Sequence, residues 1–192
     1  MEYSAPLTSF DWSAKRLEII CTSSIDTTCS IWDITKGKIY FLRLTFSGAI
    51  INQLIAHDKE VFDICFQNNP NIFSTVGADG SLRSFDTRDL TKSDILYEGV
   101  EPLMRVSQNK INDYHIAFIS LDQNFITIVD VRKPFTPAHK LYYHRGKGVN
   151  AIQFSPKDSN LLASVGTDGM ALIWDTSELL PEIKSPVKQF LN

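Results

Sequence analysis

Apolar residues along this chain fall in short runs of about six, each preceded by a turn cluster. In VGTDGMALIWD, Val165 to Asp175, an Asp-Gly pair stands ahead of such a run. Flanked by apolar residues, Asp-Gly signals a hairpin, because Gly169 tolerates the positive φ of a two-residue turn. The run Ala171-Leu-Ile-Trp174 is apolar without alternation, the pattern of a strand covered on both faces. The same order of small residues, turn aspartate, apolar strand and closing aspartate recurs in SSIDTTCSIWD (Ser23 to Asp33), VGADGSLRSFD (Val76 to Asp86) and ISLDQNFITIVD (Ile119 to Asp130). The turn residues Asp26, Asp79 and Asp168 precede Asp33, Asp86 and Asp175 by seven positions, whereas Asp122 precedes Asp130 by eight. The closing aspartates are 53, 44 and 45 residues apart.

A period of roughly 40 to 45 residues ending on Trp-Asp is the signature of WD repeats, with four strands to each blade of a β-propeller. The expected fold is therefore all-β, a WD-repeat β-propeller with four blades at about 5–56, 57–98, 99–143 and 144–191. The first blade reads as strands Leu7 to Trp12, Leu17 to Thr22, Thr28 to Asp33 and Ile51 to Ala56. The second reads as Val61 to Phe66, Ile72 to Val76, Ser81 to Asp86 and Asp94 to Glu98. The third reads as Leu103 to Ser107, Tyr114 to Ser120, Phe125 to Asp130 and Ala138 to Tyr143. The fourth reads as Val149 to Phe154, Leu161 to Val165, Met170 to Asp175 and Pro186 to Leu191. The extra length of the first repeat, GKIYFLRLTFSGAI, is β-prone and reads as an ordered insertion such as an added hairpin.

Four blades cut from a larger ring form an open arc with two uncovered apolar faces, larger than a monomer usually tolerates. Self-association or a need for further blades is the expectation.

With 192 residues, 43% of them hydrophobic, and a net charge of −3, the chain can bury a real core and is not a basic nucleic-acid binder. Its apolar stretches are broken well short of the roughly 18 residues that span a membrane. No charged-then-apolar leader stands at Met1, so secretion is not expected. Cys21, Cys29 and Cys65 form no CxxC pair, which points to reduced thiols in the cytoplasm or nucleus and to no metal site. No cofactor is expected.

His144, Ser164, Asp168 and Trp174 are the residue types of a buried hydrogen-bond chain in WD repeats. A buried imidazole needs a fixed tautomer, which a carboxylate sets while a hydroxyl and an indole extend the chain. His57, Thr75 and Asp79 repeat three of the four, with Phe85 in place of Trp. The first repeat keeps Thr22, Asp26 and Trp32 without a His, and the third keeps only Asp122. A hydrolase triad of His144, Ser164 and Asp168 is the rival reading. Against it stand the recurrence of the set and the absence of a GxSxG elbow. The Gly-Ala-Asp-Gly and Gly-Thr-Asp-Gly segments open no helix, which argues against a phosphate loop. Lys133, Lys140, Arg145 and Lys147 form the one basic cluster, too few for specific nucleic-acid binding.

Beyond WD repeats in general, APLTSFDW (Ala5 to Trp12), TSSIDTTCSIWD (Thr22 to Asp33), QLIAHDKEVFDICF (Gln53 to Phe66), VGADGSLRSFDTR (Val76 to Arg88) and DVRKPFTP (Asp130 to Pro137) resemble one family. It is the WD-repeat scaffold called transparent testa glabra or anthocyanin regulator in plants. Its animal relative is described as a cullin-associated factor and a partner of dual-specificity tyrosine-regulated kinases. The resemblance implies a non-catalytic scaffold that assembles kinases or transcription factors, or else a substrate receptor of a cullin ligase. It also implies a complete ring of about seven blades, of which this chain resembles four. Partner-binding candidates are Asp58, Lys59 and Glu60 after His57, and Arg145 and Lys147 after His144. Arg88 and Arg132 join them, each two positions past a closing aspartate, as in the Trp-Asp-x-Arg boxes of cullin-ligase receptors. There the Trp is replaced by Phe85 and Val129.

Overall fold

The computed structural model describes residues 5–36, 49–145, 148–177, 182–183 and 185–191. All regular structure among them is β, in four antiparallel sheets that follow one another along the chain. The first holds β1 (Leu7–Trp12), β2 (Ile19–Ser24), β3 (Thr28–Asp33) and β4 (Ala49–Ile55). The second holds β5 (Val61–Phe66), β6 (Ile72–Gly77), β7 (Ser81–Asp86) and β8 (Asp89–Glu98). The third holds β9 (Leu103–Gln108), β10 (His115–Ser120), β11 (Phe125–Asp130) and β12 (Pro137–Tyr142), and the fourth β13 (Val149–Phe154), β14 (Leu161–Gly166) and β15 (Met170–Asp175). Of two late strands, β16 (Glu182–Ile183) pairs parallel with β12, and β17 (Lys188–Leu191) closes the fourth sheet against β15.

This is a four-blade propeller arrangement, and each strand lies within a few residues of its expected place. The largest departures are β8, which begins five residues ahead of the expected Asp94, and β16, whose crossing to the third sheet nothing in the repeat pattern anticipates. The insertion expected after Trp32 lies mostly outside the described residues.

Three apolar cores separate the four sheets. Ile19, Cys21, Cys29 and Ile31 of the first sheet meet Val61, Ile64, Phe66, Phe73 and Phe85 of the second. The second sheet turns Cys65, Val76, Leu82 and Leu96 the other way, onto Val106, Ile116, Phe118 and Val129 of the third. Ala117, Ile119, Ile126 and Ile128 of the third then meet Ile152, Phe154, Leu162 and Trp174 of the fourth. Successive residues of β10 thus enter opposite cores, which is why its sequence is continuously apolar.

Packing of the inner strands runs from β1 to β5, from β5 to β9 and from β9 to β13, and no packing of that extent joins β13 to β1. The arc is open, and the burial of equivalent residues records it. Phe66 and Phe154, at the ends of β5 and β13, are 0% and 1% exposed, whereas Trp12 at the same place in β1 is 46% exposed. Phe10 is 68% exposed where Ile64, Val106 and Ile152 are buried. At the other end, β14 alternates: Leu162 and Ser164 are buried, while Ala163 and Val165 face outward and are exposed.

In isolation this 192-residue chain is expected to self-associate through these two faces, so that the mass seen by light scattering rises with concentration. Phe10→Ser together with Val165→Ser should lower the mass. A parent chain that stays monomeric and melts cooperatively would contradict this and argue for a closed ring.

Candidate functional site

The sites grow out of two kinds of turn. At the β2–β3, β6–β7 and β14–β15 hairpins, Oδ1 of Asp26, Asp79 and Asp168 accepts the N–H two residues on, from Thr28, Ser81 and Met170, at 3.1, 3.0 and 3.1 Å. The residue after each aspartate has positive φ: Thr27 (73°), Gly80 (77°) and Gly169 (73°). At the opposite rim the four closing aspartates repeat the device. Asp33, Asp86, Asp130 and Asp175 accept from Thr35, Arg88, Arg132 and Ser177 at 2.9, 2.9, 2.9 and 2.8 Å. Aspartate is preferred at such positions because its short carboxylate can hold a nearby backbone N–H.

In the fourth sheet the turn aspartate is the end of a buried chain. Asp168 holds Nδ1 of His144 at 3.0 Å, Nε2 of His144 lies 2.8 Å from Oγ of Ser164, and the indole Nε1 of Trp174 donates to that Oγ at 2.9 Å. A proton on Nδ1 satisfies every member: the carboxylate accepts, Ser164 donates to Nε2, and Trp174 donates to Ser164. Asp168 also accepts from the N–H of Arg145, which fastens the β12–β13 connection to the hairpin.

The second sheet repeats the chain with His57 between Asp79, at 2.9 Å, and Thr75, at 2.8 Å. Phe85 stacks on Phe73 with centroids 5.4 Å apart, so the indole hydrogen bond gives way to ring packing. Ser81 and Arg83 join here without a counterpart in the motif. Oγ of Ser81 lies 3.0 Å from Nδ1 of His57, and Arg83 reaches Asp79 and Asp58 at 3.2 and 2.7 Å. Their signal in the sequence was only their place, two and four residues past the turn aspartate.

In the first sheet Trp32 donates to Oγ1 of Thr22 at 2.9 Å, but Asp26 bonds to its neighbours Thr28 and Ser24 and stays apart from that pair. Without a histidine nothing bridges them, so Asp26 caps a turn and does not belong to a chain with Thr22 and Trp32. Asp122 of the third sheet has φ of 55° itself, the one-residue offset already visible in its longer spacing to Asp130.

Burial works against ionisation of Asp79, but hydrogen bonding and charge interaction with His57, together with Ser81, outweigh it and hold the carboxyl well below its usual range. For Asp168 burial is likewise outweighed, by the Arg145 N–H, His144 and the Met170 N–H.

The histidines and Ser164 are buried, and Oγ of Ser164 is already shared between imidazole and indole, so this set is a staple and not a nucleophile open to substrate. The three thiols are free and buried, and burial pushes each of them up. Among the described residues no group of His, Cys, Asp and Glu is placed to hold a metal ion. No described helix is long and apolar enough to cross a membrane.

Around the staples stand the partner-binding candidates. Asp58, Lys59, Glu60 and Arg145 are exposed on the rim of the histidines, and Lys147 lies outside the described residues. Arg88 and Arg132 are on the opposite rim. Each guanidinium forks onto the aspartate two residues back, with Nε to Oδ1 at 2.9 Å in both, and Arg132 also lies 3.9 Å over the Tyr114 ring. These bonds hold Asp86 and Asp130 low and raise both arginines. Of the basic cluster, Lys133 follows β11 and Arg145 follows β12, so a strand of about 20 Å separates these two, and Lys147 lies outside the described residues.

The WD domain, G-beta repeat family matches residues 48–86 and 135–175, the two stretches that hold the histidine staples. This is a WD-repeat chain. It is 43% identical over 188 residues to the DDB1- and CUL4-associated factor 7 homolog of Dictyostelium discoideum, covering 97% of this chain and 54% of that protein. A WD repeat-containing protein of Saccharomyces cerevisiae is 36% identical over 200 residues, covering 94% of this chain and 36% of its own length. The guanine nucleotide-binding protein subunit beta of Arabidopsis thaliana is 28% identical over 171 residues, with 85% and 42% covered. The WD-repeat chain thus spans about half or less of the length of these relatives.

Because Asp79 and Asp168 titrate lower in the fold than in the unfolded chain, their stabilisation is complete above the ordinary value of 3.8 and is lost as pH falls through the depressed values. Asp79→Asn and Asp168→Asn should each cost about 2–3 kcal/mol in urea denaturation at neutral pH. Each should also lose part of the parent's fall in stability below pH 3.8. A neutral-pH stability equal to the parent's would contradict the staple.

Proposed function

We propose that this chain is a non-catalytic scaffold that brings proteins together, with kinases or transcription factors as its partners, in the cytoplasm and nucleus. The observation that carries the reading is the pairing of rigid turns with exposed side chains. His57 and His144 lock two loops from below, while Asp58, Lys59, Glu60 and Arg145 remain exposed on them. Loops held on a rigid frame are the common form of a binding surface. Binding would need no cofactor, membrane or nucleic acid.

A second reading, substrate receptor of a cullin ligase, is favoured by Arg88 and Arg132. Each presents a guanidinium held flat against its own aspartate, with side chains 66% and 58% exposed. The printed name of the Dictyostelium relative, an associated factor of DDB1 and CUL4, agrees in kind. The same fork also stiffens each turn, so the arginines serve structure even where no adaptor binds.

Affinity capture with the full-length protein under native salt is expected to recover a kinase, a transcription factor or a ligase subunit, and recovery of none would count against the scaffold. Arg88→Ala with Arg132→Ala should weaken adaptor binding at least tenfold if the receptor reading holds. Unchanged binding by a stably folded variant would remove that reading alone.

A further inference from the structure

We propose that the rim carrying the histidine staples holds, between the second and third sheets, a docking pocket for an arginine side chain presented by a basic peptide segment of a partner protein. This rests on the scaffold reading and names a partner chemistry for it. The cavity measures about 120 Å³ and is walled by Tyr97, Val100, Glu101, Leu103, Gln123 and Phe125. It has room for one side chain and not for an element of structure.

Backbone contacts hold its walls together. The Gly99 N–H donates to the Gly80 carbonyl at 2.9 Å, and the Leu121 N–H to the Pro102 carbonyl at 2.8 Å. Gly80 makes the first approach possible, since a Cβ there would lie 2.2 Å from the Gly99 oxygen. The Val149 N–H reaches the Gln123 carbonyl at 3.2 Å, tying the same wall to the fourth sheet.

The chemistry of the walls is one-sided. Glu101 lines the cavity, Glu98 and Asp122 adjoin its wall residues Tyr97 and Gln123, all three are exposed, and residues 97–103 and 120–125 hold no lysine or arginine. None of the three carboxylates has an ion pair among the described residues, in contrast to Asp58, Asp79, Asp86 and Asp130. Lys140 stands 5.3 Å over the Phe125 ring, one cation beside three carboxylates. Beside the carboxylates, Val100 is 95% exposed and Leu121 42%, aliphatic groups at loop tips where the fold gains nothing from them. An arginine satisfies both halves: its methylene stem lies along Val100 and Leu121, while its planar head stacks on an aromatic wall and forks onto a carboxylate.

The test uses the immobilised chain and a labelled peptide Gly-Ala-Leu-Arg-Leu-Ala-Gly, alongside the same peptide with citrulline for arginine. The arginine peptide should bind at least about tenfold more tightly than the citrulline peptide and should weaken as salt rises. Glu98→Gln, Glu101→Gln and Asp122→Asn combined should remove that preference, whereas Asp94→Asn, farther back along β8, should leave it intact. Equal binding of the two peptides, no binding of either, or a triple variant that binds as the parent does would each overturn the pocket. Native capture of partners by the folded triple variant would, beside such a result, leave the scaffold reading standing.

Discussion

The second and third sheets are apolar on both faces, and each lies between two neighbours. The three cores are the consequence, each built half from one sheet and half from the next. The inner strands add a directional bond to this packing. Being edge strands, β5, β9 and β13 have N–H groups with no partner in their own sheet. Those of Phe66, Val106 and Phe154 are met by side chains of the preceding inner strand: Asp11 at 2.7 Å, Asp63 at 2.9 Å and Ser107 at 3.0 Å. Lys110 reinforces the first of these, reaching the Phe66 carbonyl at 2.5 Å and Asp11 at 3.6 Å, so that one loop of the third sheet holds the first two. Burial pushes the Asp63 carboxyl up against the hydrogen bonds it accepts.

Packing fixes the sheets, and the staples then fix the loops. A connection between blades has few apolar contacts of its own, so its conformation depends on polar groups anchored in the strands beneath. His57 and His144 sit in two such connections and reach down to a hydroxyl in the second strand and across to the hairpin aspartate. In this way rigid loops stand over the packed strands. Cost falls on the polar groups, which are buried and must all be satisfied together, and this accounts for the recurrence of residue types at fixed spacing.

The architecture was legible because the period and the turn chemistry are encoded locally. Asp-Gly before a strand and an aspartate after it are signals of single residues, and both kinds of turn formed where those residues stood. The inter-blade bonds were not legible: Asp11 and Asp63 share a type but not a strand position, and Asp11 and Ser107 a position but not a type, so no single repeat betrays them. The third repeat was obscure for a related reason. It lacks a staple, yet its loop is held by buried Asn109, whose amide donates to the Ser159 carbonyl at 2.7 Å and whose oxygen accepts from Ile111 and Asn112. A single asparagine bonded to another blade has no pattern to be recognised by. Asp26 misled in the opposite sense, since a turn cap and a staple aspartate look alike until the histidine is located.

Native-state amide hydrogen exchange, resolved strand by strand in dilute solution, tests most directly whether sandwiching between neighbours sets stability. Strands β6, β7, β10 and β11, covered on both faces, should exchange slowest, and β1, β13 and β14, each open on one face, should exchange first. Equal protection across all four sheets, or slowest exchange in the first or fourth, would contradict the account.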